Sequence, residues 1–213
     1  MERAGAKSKA ALGFLTVLEY PSFGLFGGYL VLNTAGRPLE FHCTAPVKPN
    51  RAQEILYGPT LEPFLYGEQI GQTLVAKAKT EPLLVCTDRP PALALRDHIQ
   101  VPVALVLPDD ADEGSESRVA EPHLGGWDSA AQAADPRLPA LELVWRIDAA
   151  HGGTPLVGFQ LGRNRLAVAE ANQDDCRLVS ERIAQLAESF DLAEPFGRIR
   201  EAIEEARQGG QPD

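Results

Sequence analysis

The 213-residue chain is poor in the residues from which specialised sites and scaffolds are built. It has three cysteines, Cys43, Cys86 and Cys176, with no C-x-x-C pair, which excludes a zinc ribbon and argues against a disulfide framework. No apolar run approaches the ~18 residues that would suggest a membrane span. The basic start (Arg3, Lys7, Lys9) and the apolar run Ala10 to Leu18 lead into Glu19-Tyr20-Pro21, not into a small-residue cleavage site, so no signal peptide is expected. There is no G-x-x-x-x-G-K-[ST], no G-x-G-x-x-G after a strand, no G-x-S-x-G and no H-E-x-x-H. Nucleotide-cofactor and classical hydrolase signatures are absent, and neither a cofactor nor a metal is expected.

Positive charge is also scarce. Twenty Lys and Arg face 30 Asp and Glu, a net of −10. The imbalance is one-sided: residues 1–107 carry a net of +1 and residues 108–213 a net of −11. With no run of Lys and Arg to neutralise several phosphates, nucleic acid is not expected as a partner. The odd, scattered cysteines and the missing leader point to the cytoplasm.

What is present is ordinary globular composition, 44% apolar and 23% charged, in a chain long enough to bury a core unaided. Leu12 to Tyr20 predicts a strand, and residues 28–44 a β-hairpin turning at Gly36. Asn50 with Gln53 is a capping-box variant that starts a helix over Arg51 to Tyr57, stopped by Gly58-Pro59. A second helical piece runs from near Thr60 to Ala78. Its glycines Gly67 and Gly71, four apart, call for close packing. Pro82 to Thr87 and Val101 to Leu107 read as buried strands around a short helix opened by Pro90-Pro91. Leu141 to Ile147 reads as a strand, Leu156 to Ala169 as a hairpin, and two amphipathic helices follow.

The predicted fold is therefore α/β or α+β, a mixed sheet with an N-terminal antiparallel hairpin, crossover helices and two C-terminal helices. Three parts are expected: an α/β unit over 1–107, an acidic loop or linker over 108–140, and a β-hairpin with two helices over 141–213. The third part is expected to pack on the first as one domain. Trp127 is the apolar exception within the linker.

Alternation over Leu39 to Thr44 puts Leu39, Phe41 and Cys43 on an oily inner face, and Glu40, His42 and Thr44 on a polar outer one. Helices are then expected on one side of this part of the sheet, with Cys43 buried and structural. The candidate site assumes that the third and fourth strands are parallel neighbours. His42 and Asp88 would then meet as acid or base, with Thr44, Lys48, Arg51 and Thr87 as substrate-binding residues around a helix N-terminus. The competing structural role for Asp88 is as a cap of the helix after Pro90. His123 and His151, isolated in loop sequence, are read as surface histidines, not metal ligands.

The segment Gly27 to Gly58, GGYLVLNTAGRPLEFHCTAPVKPNRAQEILYG, resembles a conserved-domain type found in uncharacterised bacterial proteins. The resemblance implies a bacterial, cytoplasmic protein and brings no activity, cofactor or catalytic residue with it. The leading reading from the residues is a non-catalytic binding or regulatory protein that engages a protein partner or forms a homo-oligomer. The alternative is a hydrolase-like small-molecule enzyme acting on an anionic substrate at the cluster around His42 and Asp88. A third is a nucleic-acid enzyme that touches its substrate through the near-neutral half alone.

Overall fold

The computed structural model describes residues 10–108, 144–147, 154–188 and 190–209. Most of the linker, with Trp127 and His123, lies outside the described residues, as does His151. The chain divides into two compact units, one of Met1–Leu105 with Glu194–Asp213, the other of Val106–Ala193. The last helix belongs with the N-terminal unit.

The first unit carries β1 (Ala11–Tyr20), β2 (Gly24–Asn33), β3 (Pro38–Cys43), β4 (Leu84–Thr87) and β5 (Val103–Val106), in the order β3-β2-β1-β4-β5. β1, β2 and β3 are successive antiparallel neighbours, while β4 lies parallel to β1 and β5 parallel to β4. The mixed sheet predicted from sequence is thus present, but β3 and β4 are not neighbours. Two strands separate them.

Helices cover both faces of the sheet centre, while at β3 only one face is covered, the other leaving Leu39, Phe41 and Cys43 exposed. The capping box at Asn50 and Gln53 starts α1 (Arg51–Tyr57). After a turn at Gly58–Thr60 the chain continues through α2 (Leu61–Pro63), a π-wound stretch over Phe64–Gln72, and α3 (Thr73–Lys77). This run packs on one face. On the other lies α5 (Glu194–Gly209), with Phe196 edge-on to Phe14 at 5.8 Å. Gly27 and Gly28 lie inside the ten-residue β2. The two glycines let both helical layers touch its backbone. A Cβ on Gly27 would stand 2.2 Å from Ile70 Cγ2, and one on Gly28 would stand 2.4 Å from Ile199 Cγ2. Gly67 likewise admits the backbone of Ala94 and Leu95, in the 3₁₀ segment Pro90–His98, where a Cβ would meet Leu95 N at 2.6 Å.

The second unit carries β6 (Val144–Ile147), β7 (Leu156–Leu161) and β8 (Asn164–Ala169), an antiparallel set in which β7 is central. α4 (Asp175–Ala187) buries Cys176, Val179 and Ile183. Asn164 fastens the end of this helix: its amide donates to the carbonyls of Ala187 and Phe190 at 2.9 Å, and its oxygen accepts from Leu192 N. Among the described residues no helix is long and apolar enough to cross a membrane.

Candidate functional site

The strand order decides which predicted site residues meet. Three strand spacings of about 4.8 Å put β3 roughly 14 Å from β4. The faces differ too. His42 pairs in register with Tyr29 and Tyr29 with Leu15, on the side of the π-wound segment, whereas Cys86 pairs with Phe14 on the α5 side. Asp88, two residues after Cys86, shares the α5 side, where Arg200 reaches it. His42 and Asp88 therefore do not form one site, because the assumed adjacency of their strands is absent.

The alternation along β3 is real but inverted. Leu39, Phe41 and Cys43 are exposed, at 41% and 39% for the two large side chains, while Glu40 and His42 are half-buried. The helical layer on the His42 side draws the polar residues in. Glu40 accepts from Lys79 N at 2.9 Å and Thr80 N at 2.7 Å, and sits 3.1 Å from His42 Nε2. Hydrogen bonding from Thr80, then from the Lys79 N–H, holds the Glu40 carboxyl down at about 2. Cys43, expected inside, is on the bare face, since α5 packs on β1 and β2.

The remaining predicted residues are dispersed and engaged locally. Thr44 Oγ1 accepts from Gly27 N at 2.9 Å, Lys48 Nζ donates to Ser22 O at 2.7 Å, and Arg51 pairs with Glu54 at 3.2 Å on an exposed turn. Thr87 Oγ1 accepts from Arg89 N at 3.1 Å. The 3₁₀ segment after Pro90 has no side-chain cap, so Asp88 is not its cap.

What the structure does bring together lies at the carboxyl ends of β1 and β4. The chain runs outward from β1 through β2 and β3, then returns to the other side of β1 with β4 and β5. The β1/β4 boundary is the switch point of the sheet, the place where open α/β sheets bind ligands. Leu15 and Thr87 are the last paired residues, so Thr16 and Asp88 stand next in register on the α5 face. Thr16 is fully buried, and its hydroxyl has no hydrogen-bond partner. Asp88 Oδ2 is paired with Arg200, but its Oδ1 and the Arg89 Nε are buried and unsatisfied, 3.9 Å apart. Leaving a buried polar group without a hydrogen bond costs about 1–3 kcal/mol, so three such atoms in one corner single it out as a candidate site. Thr16, Arg89 and Arg200 are missed by the sequence reading. Thr16 sits inside an apolar strand, and Arg200 is 112 residues away from Asp88. Among the described residues no group of His, Cys, Asp and Glu is large enough to hold a metal ion.

No protein-family model matches the chain, and no curated protein matches it in sequence. A solved structure similar to it is endonuclease V of Ciona intestinalis in complex with a 23mer DNA, at 14% identity and a TM-score of 0.36, with 76% of this chain and 71% of that one covered. The expected protein partner or homo-oligomer has no support there, and the molecule bound to that protein is DNA, the class not expected here. Taken unit by unit, the negative charge is unevenly spread. The first unit holds thirteen Lys and Arg against fourteen Asp and Glu, a net of −1, while the second holds a net of −9. The acidity of the whole chain says little about the surface around Asp88 and Arg200.

Proposed function

We propose that the chain is a hydrolase-like enzyme acting on an anionic, phosphate-bearing substrate held at the β1/β4 switch point. The observation that carries the reading is the trio of unsatisfied buried atoms, Thr16 Oγ1, Asp88 Oδ1 and Arg89 Nε, beside the Arg200 guanidinium. Arg89 and Arg200 supply planar donor forks that suit a phosphate, and both side chains are partly exposed and within reach of solvent. Asp88 Oδ1, 3.9 Å from Arg89 Nε and without a hydrogen bond, is an acceptor at the same place. In the reaction it would take a proton from water as that water attacks phosphorus, then pass it to the departing alkoxide as the ester bond breaks. The two arginines would neutralise the charge that builds on the phosphoryl oxygens, and Thr16 would orient the water or a non-bridging oxygen. Three free thiols fit a reducing, cytoplasmic setting.

A second reading is favoured by one contact. Asp88 Oδ2 is already engaged by Arg200, as expected if the corner binds an anion without turning it over. Two measurements separate the readings: calorimetric titration with inorganic phosphate, and release of nitrophenol from nitrophenyl phosphate mono- and diesters. The hydrolase reading expects phosphate binding lost in Arg200→Met, and turnover reduced at least about 100-fold in Asp88→Asn with phosphate still bound. Binding without detectable turnover leaves the second reading. Absence of phosphate binding by the native chain removes both.

A further inference from the structure

We infer that the ligand of this corner is a nucleotide, its base stacked on a second subsite formed by Tyr20, Phe23 and Arg207. The inference rests on the phosphate reading above and adds what lies next to the phosphate. α5 runs from Phe196 at Phe14 past Arg200 at Asp88 to Glu204 and Arg207 at Tyr20. Arg200, Glu204 and Arg207 lie at i, i+4 and i+7, on one ridge that spans about 10 Å at 1.5 Å per residue. One end of the ridge is the anion corner. The other is aromatic.

Phe23, in the β1–β2 turn, is 45% exposed, an unusual position for so large an apolar ring. The Arg207 guanidinium lies 4.8 Å from the centre of the Tyr20 ring and 5.9 Å from that of Phe23. It does not lie there by chance. Glu204 takes Arg207 Nε and Nη2 at 3.2 and 2.8 Å, and accepts from the Tyr20 hydroxyl as well. The carboxylate thus fixes the guanidinium against the rings without drawing it into solvent. Phe26 closes the base of the cluster, edge-on to Tyr20 at 5.3 Å. A pre-ordered cation on aromatic rings beside an open phenyl face is a stacking platform for a planar base. Cationic groups and stacking rings along one groove are the pairing by which proteins hold unpaired nucleotides. An extended ligand with phosphate at Asp88 and base at Phe23 fits the length of the ridge.

Titration of the native chain with inorganic phosphate, ribose phosphate, adenosine monophosphate and a short single-stranded DNA tests this. Stacking of one base predicts adenosine monophosphate bound at least about five-fold more tightly than ribose phosphate. In Phe23→Ala that advantage disappears while ribose phosphate binds as before. Phe23→Leu, which keeps an apolar side chain without a ring, behaves like Phe23→Ala. Equal affinity of the native chain for adenosine monophosphate and ribose phosphate overturns the base subsite and leaves the phosphate reading intact. Failure to bind inorganic phosphate and all three larger probes overturns both. The strand binding more tightly than the monophosphate identifies a polymer as the source of the nucleotide, and equal binding identifies the free nucleotide.

Discussion

Two polar clusters of the same sheet, Glu40 with His42 on β3 and Asp88 with Arg89 at the end of β4, differ in one physical respect. In the first, the carboxylate is used up: two backbone N–H groups and an imidazole surround it, and its proton affinity falls accordingly. In the second, a carboxylate oxygen and a guanidinium nitrogen face each other at 3.9 Å, too far for a hydrogen bond, and a neighbouring threonine hydroxyl is buried without one. Folding alone accounts for the first arrangement, because Glu40 ties the chain after α3 to the edge strand. The second leaves polar atoms without hydrogen bonds in the free protein, and the proposed phosphate ligand would supply them. Histidine beside a carboxylate looks more like catalytic equipment, yet the incomplete cluster is the better candidate site.

The largest expected effect separates the clusters directly. Asp88→Asn should reduce turnover at least about 100-fold while changing stability by no more than about 1 kcal/mol, because its partner Arg200 is partly solvated. Parallel assays of nitrophenyl ester hydrolysis and urea unfolding measure both. Glu40→Gln should do the reverse, leaving phosphate binding intact and costing about 1–3 kcal/mol for two weakened charge-assisted hydrogen bonds. If Glu40→Gln abolished phosphate binding with the fold intact, the contrast between the clusters would be lost.

The same carboxyl makes a prediction in pH. Its folded value of about 2 lies below the ordinary 4.5, so folding binds fewer protons there. The stabilisation it gives is complete above 4.5 and is lost as pH falls toward 2. Urea midpoints of the native chain and Glu40→Gln should therefore lie furthest apart near neutrality and converge in acid. A gap that stays constant down to pH 2 would remove the charge-assisted account.

A smaller effect of opposite sign is expected at Thr16. Thr16→Val keeps the shape of the side chain and removes a buried hydroxyl that bonds nothing. The free protein should gain about 1 kcal/mol in thermal unfolding, while phosphate binding weakens. Lower stability would mean that the hydroxyl has a partner in solution. Unchanged phosphate affinity would exclude Thr16 from the site.

Local features were largely legible in the residues. The capping box at Asn50 and Gln53, the stop at Gly58 and the hairpin turning at Gly36 depend on neighbours in sequence. Gly67 announced close packing for the same reason: a helix-interior glycine is costly unless a backbone lies against it. Strand order is different in kind, since it depends on which distant segments pair, and the β3–β4 adjacency from which His42 and Asp88 were joined is a matter of topology. The alternation over Leu39 to Thr44 was equally visible, but periodicity says that two faces differ, not which one a distant helix will cover. α5, nearly the last segment of the chain, covers β1 and β2 and leaves Leu39, Phe41 and Cys43 bare. The candidate site was hidden for the same reason. Asp88 could be singled out, but its partner Arg200 lies on that helix.

The three thiols report on that coverage. Cys43 and Cys86 point to the same side of the sheet, Cys43 on the bare edge and Cys86 in the interior, where burial pushes its thiol far up from the ordinary range. Burial likewise pushes Cys176 up to about 11 in the second unit. Thiolate is the reactive form, so a neutral disulfide reagent such as dithiodipyridine should label one thiol per folded chain and all three in denaturant. Cys43→Ser should leave the folded chain unreactive. Rapid labelling of Cys86 in that variant would mean that this face of the sheet opens in solution. The Asp88–Arg200 corner, built half from the sheet and half from α5, would then not exist as a preformed site.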